Sequence, residues 1–300
     1  GKIPKKVEAD NIFLNNSFII DFKKNKEIIA SKANNYNDII FSNNKANKNS
    51  NTKIFSGTII VDKDLVFENP VLIKPGTTFF IEEGISLIFK NKLIAIGDKD
   101  SKINFLSNSN KPWGTIAIIG KDTAGSKLKH IDIKDGSGSF LDQFIFTSML
   151  SIHNTKNIEL ENIKFFNNHY YDDMLHVIYS SEIFLKDLTF SNANGDAIDI
   201  DLCDKVLIIN SNIYDSKNDG IDLMESDVLI KNVNIFNSKD KGISVGESSK
   251  AEIFNTKLEK NNTAVAVKDN SKILLKNSSF LENNIQISAY KKNLQYGSGG

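Results

Sequence analysis

The chain has 300 residues, 37 basic, 37 acidic and 40% hydrophobic, and its formal net charge is zero. Every basic residue is lysine, so the bidentate forks with which arginine reads phosphates and base edges are missing, and the composition argues against nucleic acid as a partner. No apolar run approaches the ~18 residues of a membrane-spanning helix, and the lone Cys203 excludes an internal disulfide and any cysteine-based zinc site.

Residues 1–53 are rich in Lys and Asn, with small apolar patches at Ile12–Leu14 and Phe18–Ile20, and Ser42–Lys53 is almost wholly polar. This stretch reads as a separate N-terminal segment ending in a linker. Gly1-Lys2-Ile3-Pro4 has no signal-peptide core, so a signal peptide is expected to have been removed or to lie outside this sequence. From Ile54 onward, short β-branched and aromatic runs alternate with Gly and Asn: Thr58–Val61, Val71–Ile73, Phe79–Ile81 and Ile85–Phe89. These predict short strands. No long segment has a 3.6-residue apolar period, so helices should be scarce. The only Trp, Trp113, is expected to fill the core near the start of a coil.

A repeat organises the rest. The motif apolar-x-apolar recurs at Leu175, Ile198, Ile221, Ile243, Val265 and Ile285, with spacings of 23, 23, 22, 22 and 20 residues. Each is followed by a second strand of the form apolar-x-apolar-x-Asn-x-x-apolar. Its fifth position reads Asn162, Asp187, Asn210, Asn232, Asn255 and Asn277. Coils of about 22 residues that stack through parallel strands explain both patterns, and predict an all-β, right-handed parallel β-helix over residues 54–300. Residues 1–53 would then cap its exposed first coil. Asn210, Asn232 and Asn255 are expected to point inward at a turn and to stack.

Stacking turns sequence positions into columns ~4.8 Å apart. The outward residue inside the first strand reads His176, Asp199, Asp222, Ser244, Ala266, Gln286. Two positions before that strand the column is Asp173, Asp196, Asp219, Lys241, Thr263, Asn283; just after it comes Ile178, Asp201, Met224, Gly246, Lys268, Ser288. Glu225, Glu247 and Asp269 lie one position further along. The acids therefore gather on one face, with His176 at one end and Lys241 and Lys268 at the other. Packed carboxylates repel and raise one another's pKa. A bound Ca²⁺, the lysines, or a functional need for a protonated acid would each offset that cost.

At the level of fold, the chain resembles the right-handed pectate-lyase-like β-helices, a group of pectin and alginate lyases, epimerases and polygalacturonases. Gly195–Ile200, Lys241–Gly246 and Val265–Lys268 are similar to successive polygalacturonase motifs, although Lys241 stands where those enzymes have His and Ala266 where they have Arg. Over about residues 57–300 the chain is similar to β-helix domains of bacterial envelope proteins that occur with CotH-like proteins. Asp240–Ser249, Val267–Ser271, Ala289–Lys292 and Tyr296-Gly297 carry that resemblance. It implies a secreted or cell-envelope protein, monomeric and in some cases one domain of a larger chain.

Three functions are expected. The first is a polysaccharide lyase or epimerase, Ca²⁺-assisted, with Lys241, Lys268 or His176 as the base and Asp199 and Asp222 in the catalytic group. Asp196, Asp219, Glu225, Glu247 and His169 would contact the glycan. The Ca²⁺ ligands would come from Asp173, Asp196, Asp199, Asp201, Asp219 and Asp222. The second is a glycoside hydrolase using paired carboxylates, for which acids one coil apart suit retention and acids two coils apart suit inversion. The third is a non-catalytic envelope or adhesion module that binds Ca²⁺ or a glycan on the same face.

Overall fold

The computed structural model describes residues 51–141 and 144–300. Strands of mostly three to six residues, separated by Asn- and Gly-bearing turns, coil into a parallel β-solenoid of about ten turns with roughly 23 residues each. Helix is confined, among the described residues, to the single 3-10 turns Lys121–Thr123 and Leu294–Tyr296, as the lack of a 3.6-residue period predicts. None of these is long and apolar enough to cross a membrane. The expected capping segment, residues 1–53, lies outside the described residues except for its last three.

One ten-stranded sheet carries the repeat motif. Its strands include Ile116–Ile119, Ser148–His153, Asp173–Ile178, Ile198–Asp201, Ile221–Met224, Lys241–Gly246, Thr263–Lys268 and Ile285–Tyr290, each parallel to the next. Leu175, Ile198, Ile221, Ile243 and Val265 are register partners and fully buried, so the alternating residues between them face outward. A second parallel array, with Ile183, Val206, Val228 and Ala251 in register, closes the other side of the core. Trp113 is completely buried and donates from Nε1 to the Lys134 carbonyl at 2.8 Å.

Two expectations need correction. In the last coil Val265 pairs with Ile287, and Ile285 pairs with Thr263. Ile285-Gln286-Ile287-Ser288-Ala289 offers two apolar-x-apolar frames, and stacking selects the second. Ser288 therefore follows Ala266, Tyr290 follows Lys268, and Asn283 belongs to an inner stack with Asn261.

The Asn column does stack, but outside. Asn232 Nδ2 donates to Asn210 Oδ1 at 3.0 Å and Asn255 Nδ2 to Asn232 Oδ1 at 3.2 Å, and all three residues are exposed. Their φ angles of 52°, 55° and 50° lie in the left-handed region, which Asn tolerates better than other non-glycine residues. Serines satisfy the buried turn instead: Ser226 Oγ accepts from Cys203 N at 2.9 Å, Ser249 Oγ from Ser226 N at 3.0 Å and Ser271 Oγ from Ser249 N at 3.2 Å. A short side chain fits there, and its oxygen replaces the water that each buried N–H has lost.

Candidate functional site

Parallel register places Ser151, His176, Asp199, Asp222, Ser244 and Ala266 in one outward column, a rung apart. Asp173, Asp196 and Asp219 flank it where the chain enters each strand. They serve the backbone as well: Asp196 Oδ1 accepts from Asp219 N at 2.6 Å, and Asp219 Oδ1 from Lys241 N at 2.8 Å. Asp201 faces the column from the neighbouring outward position, with Nε2 of His176 at 3.3 Å.

At the His176 end the groups are ordered by Thr147. Its hydroxyl donates to Asp173 Oδ2 at 2.8 Å and stands 3.2 Å from His176 Nδ1. Thr147 therefore bridges the carboxyl and the imidazole. Nε2 then faces the carboxyls of Asp201 at 3.3 Å and Asp199 at 3.7 Å. His153 stacks edge-on against His176 with ring centroids 5.3 Å apart. Burial, then the charge of His176, lowers its pKa to about 4, so it stays neutral.

The carboxyls are strongly perturbed. Burial raises Asp173 to about 7 against the opposing charge of His176. Burial and the neighbouring Asp219 raise Asp196 to about 9, and burial with Asp222 raises Asp219 to about 6. Asp199, also buried and ringed by Asp173, Asp201, Asp222 and Asp196, is held well above the ordinary carboxylate range. Protons thus relieve much of the repulsion that the columns implied.

The lysines differ in their tethers. Burial pulls the Lys241 ammonium down, but its hydrogen bond to Asp240 and the charges of Asp219 and Asp240 outweigh that and raise its pKa. A lysine favoured in its charged form is a weaker general base, so the role expected of Lys241 would need it to give up that tether. Lys268 is almost fully buried, with Nζ 4.0 Å from Asp222 Oδ1 across an intervening rung. Its stem crosses Gly246, where a Cβ would come within 2.6 Å of Lys268 Cε.

Glu225 and Glu247 stand on the adjoining turn ridge and are engaged by the last residues of the chain. Tyr296 Oη donates to Glu225 at 3.1 Å, and Asn293 Nδ2 to Glu247 at 3.1 Å. His169 is placed elsewhere, exposed and 3.6 Å from Asp135. Of the expected site residues, the fold brings together Asp173, His176, Asp196, Asp199, Asp201, Asp219, Asp222, Lys241 and Lys268.

Thr147, His153 and Gly246 were missed as site residues. His153 was within reach, because the apolar-x-apolar frame extends one coil back to Leu150-Ser151-Ile152-His153. Thr147 sits in no repeat position and gave no signal. Cys203 takes no part, since burial pushes its thiol up to about 12.

Asp173, His176 and Asp199 each offer a ligand atom, all within 4.8 Å of one another. An imidazole in the set does not fit Ca²⁺, which takes oxygen ligands; mixed nitrogen and oxygen donors suit a transition-metal ion.

Residues 173–297 match the family model for the right-handed β-helix region. No curated protein matches the chain. Among solved structures, a double mutant of the periplasmic alginate epimerase AlgG superposes with a TM-score of 0.50 at 12% identity, over 83% of this chain and 68% of that one. The A-module of the Azotobacter vinelandii mannuronan C-5 epimerase AlgE4 gives 0.40 at 13% identity, over 81% and 90%. The catalytic domain of an alpha-1,3-glucanase gives 0.30 at 8% identity, over 84% and 68%. At such identities the likeness concerns the fold alone, and with the family match it identifies the solenoid as a right-handed parallel β-helix.

Proposed function

We propose that this protein binds a polysaccharide along the outward face of the ten-stranded sheet and cleaves it by acid–base chemistry, with Asp199 as the general acid. The observation that carries this reading is the unlike pair Asp199 and Asp222. They are register partners on adjacent rungs; burial and like charge hold one well above the ordinary carboxylate range, and the other has a lysine at 4.0 Å. Two carboxyls in unlike surroundings, one of them with a raised pKa, are what glycoside cleavage calls for. Rungs ~4.8 Å apart give a spacing of the order of the ~5 Å used by retaining glycosidases. In this scheme Asp199 protonates the leaving oxygen, Asp222 attacks or activates water, and His176 with Asp201 holds the local proton balance.

An anionic polymer such as alginate is the first substrate class to try, because the periplasmic epimerase that superposes with a TM-score of 0.50 acts on alginate by its name. A secreted or envelope location belongs to the same proposal. The decisive experiment is a panel of alginate, polygalacturonate and alpha-1,3-glucan, read three ways. New reducing ends without an unsaturated product support hydrolysis, unsaturated ends support a lyase, and C5 inversion by NMR supports an epimerase. No change to any polymer, in wild type as in Asp199→Asn, would leave only a binding module.

A second reading rests on Asp196 and Asp219, where burial and neighbouring aspartates (Asp219 for the first, Asp222 for the second) raise two carboxyls a cation could ionise. There Ca²⁺ would meet oxygen donors only, away from the imidazole of His176, and would neutralise the face when bound.

A further inference from the structure

The outward face of the ten-stranded sheet is not open along its whole length. Ile88 and Ala117 occupy the same outward column as His176 and Asp199, nearer the N-terminal end. Both side chains point away from the solenoid core, yet they are 2% and 0% exposed. What covers them is a hairpin formed by Ser139–Leu141 and Phe144–Phe146, the only antiparallel pairing among the described residues. Phe146 and Leu141 pack with Ile88, Ala117 and Ile119 into a small apolar cluster outside the main core.

This hairpin ends at the acid site. The Phe146 ring lies 5.3 Å from His153, whose ring lies 5.3 Å from His176. The next residue, Thr147, holds both Asp173 and His176. A continuous wall of side chains therefore rises just N-terminal to His176. In the other direction the column is closed as well: beyond Asp222 come Ser244 and Ala266, 0% and 1% exposed, beside the buried Lys268.

We infer that the hairpin is an end stop, and that the site takes the end of a glycan chain rather than an internal stretch. A chain that enters over Asp199 and Asp222 has to place its terminal sugar at the wall made by Phe146, His153 and His176, because the column beyond that wall is filled by packed apolar side chains and the column past Asp222 is buried too. The inference rests on the polysaccharide reading above. The opposite side of the hairpin, with Phe140 and Ile145 paired across the strands and 65% and 59% exposed, has no part in the wall.

The test uses the full chain and oligosaccharides of alginate, polygalacturonate and alpha-1,3-glucan in two forms, with free ends and with both ends chemically capped. Where the polymer is cleaved, one small product should accumulate from the first time point while the viscosity of long chains barely falls. Where it is only bound, capping both ends should weaken binding about tenfold or more. Phe146→Ala lowers the wall and should let capped chains in, whereas Phe140→Ser with Ile145→Ser should leave the preference unchanged. Random product lengths with an early collapse of viscosity, or equal handling of free and capped chains by the wild type, would overturn the end stop and spare the polysaccharide reading. If no polymer is bound or cleaved in either form, that reading falls, and the end stop with it.

Discussion

Asp199 and Asp222 are partners in one parallel ladder, a rung apart, and their surroundings differ in kind. Asp199 is surrounded by four other aspartates, and burial with their charge raises its pKa well above the ordinary carboxylate range. Asp222, with its side chain 31% exposed, faces the Lys268 ammonium at 4.0 Å. The repeat supplies identical backbone positions; the difference comes from where each rung sits between the histidine end and the lysine end of the face.

If that pair is the acid–base machinery, Asp199→Asn should lower turnover on the active polymer by ~10²- to 10⁴-fold. The wild-type rate should fall on the alkaline side as Asp199 ionises, and Asp199→Glu should restore part of it. Full activity in Asp199→Asn, measured by released reducing ends, would remove Asp199 from the reaction.

Stability should decline as pH rises. The carboxyls of Asp219, Asp173 and Asp196 are raised, first by burial, to about 6, 7 and 9. Each binds its proton more tightly when folded than when unfolded, where the value is ~3.9. Its stabilising effect is complete at low pH and is lost between the unfolded and folded values. Glu159 and Glu161 act oppositely. Burial favours their neutral forms, but hydrogen bonds to Lys129, Lys127 and Lys186 outweigh it, lower their pKa values, and supply stability that is lost in acid. The melting temperature should therefore peak near pH ~4 and fall toward pH ~9. Asp196→Asn should flatten the fall and stabilise the protein at pH 8; a wild-type profile that rises from pH 5 to 9 would contradict this.

The two ladders should respond differently to substitution. Asn232 sits at φ 55° on the surface, so Asn232→Val should cost ~1–2 kcal/mol through left-handed strain, and Asn232→Gly close to nothing. Ser226→Ala orphans the buried N–H of Cys203 and should cost ~1–3 kcal/mol. Urea titrations of the three variants separate strain from desolvation; equal costs for Asn232→Val and Asn232→Gly would refute the strain account.

Gly246 leaves room for the Lys268 stem, and a Cβ there would lie 2.6 Å from Cε. Because the atom it meets belongs to a flexible side chain, Gly246→Ala should fold but displace Lys268 from Asp222. Acetylation of Lys268, followed by mass spectrometry, should be slow in the wild type and faster in the variant. An unchanged rate would mean that the stem does not depend on the glycine.

Calcium competes with protons for Asp196 and Asp219, so any rise in melting temperature should be larger at pH 8.5 than at pH 5.5. Asp196→Asn should remove it. A melting temperature indifferent to millimolar Ca²⁺ and to chelator at pH 8.5 discards the Ca²⁺ reading.

The sequence by itself determined the solenoid, the coil length and the rungs that carry the acidic columns. Parallel stacking has a fixed step, so an apolar-x-apolar motif at a period near 22 leaves one arrangement that buries Leu175, Ile198, Ile221, Ile243 and Val265 together. Where two frames fit, as at Ile285–Ala289, periodicity could not choose, and pairing with Val265 did. The direction of the Asn column was also beyond it, because an Asn in a turn stacks equally well inside or outside, and only the backbone dihedral turns Asn232 toward solvent. The chemistry of the site was decided in three dimensions. The raised pKa of Asp199 depends on burial and on carboxyls from its own and other coils, the tether on Lys241 depends on Asp219 one rung away, and the wall beside His176 comes from a hairpin outside the repeat. A repeat encodes what every coil shares; a site is built where the coils differ and where an insertion folds back over them.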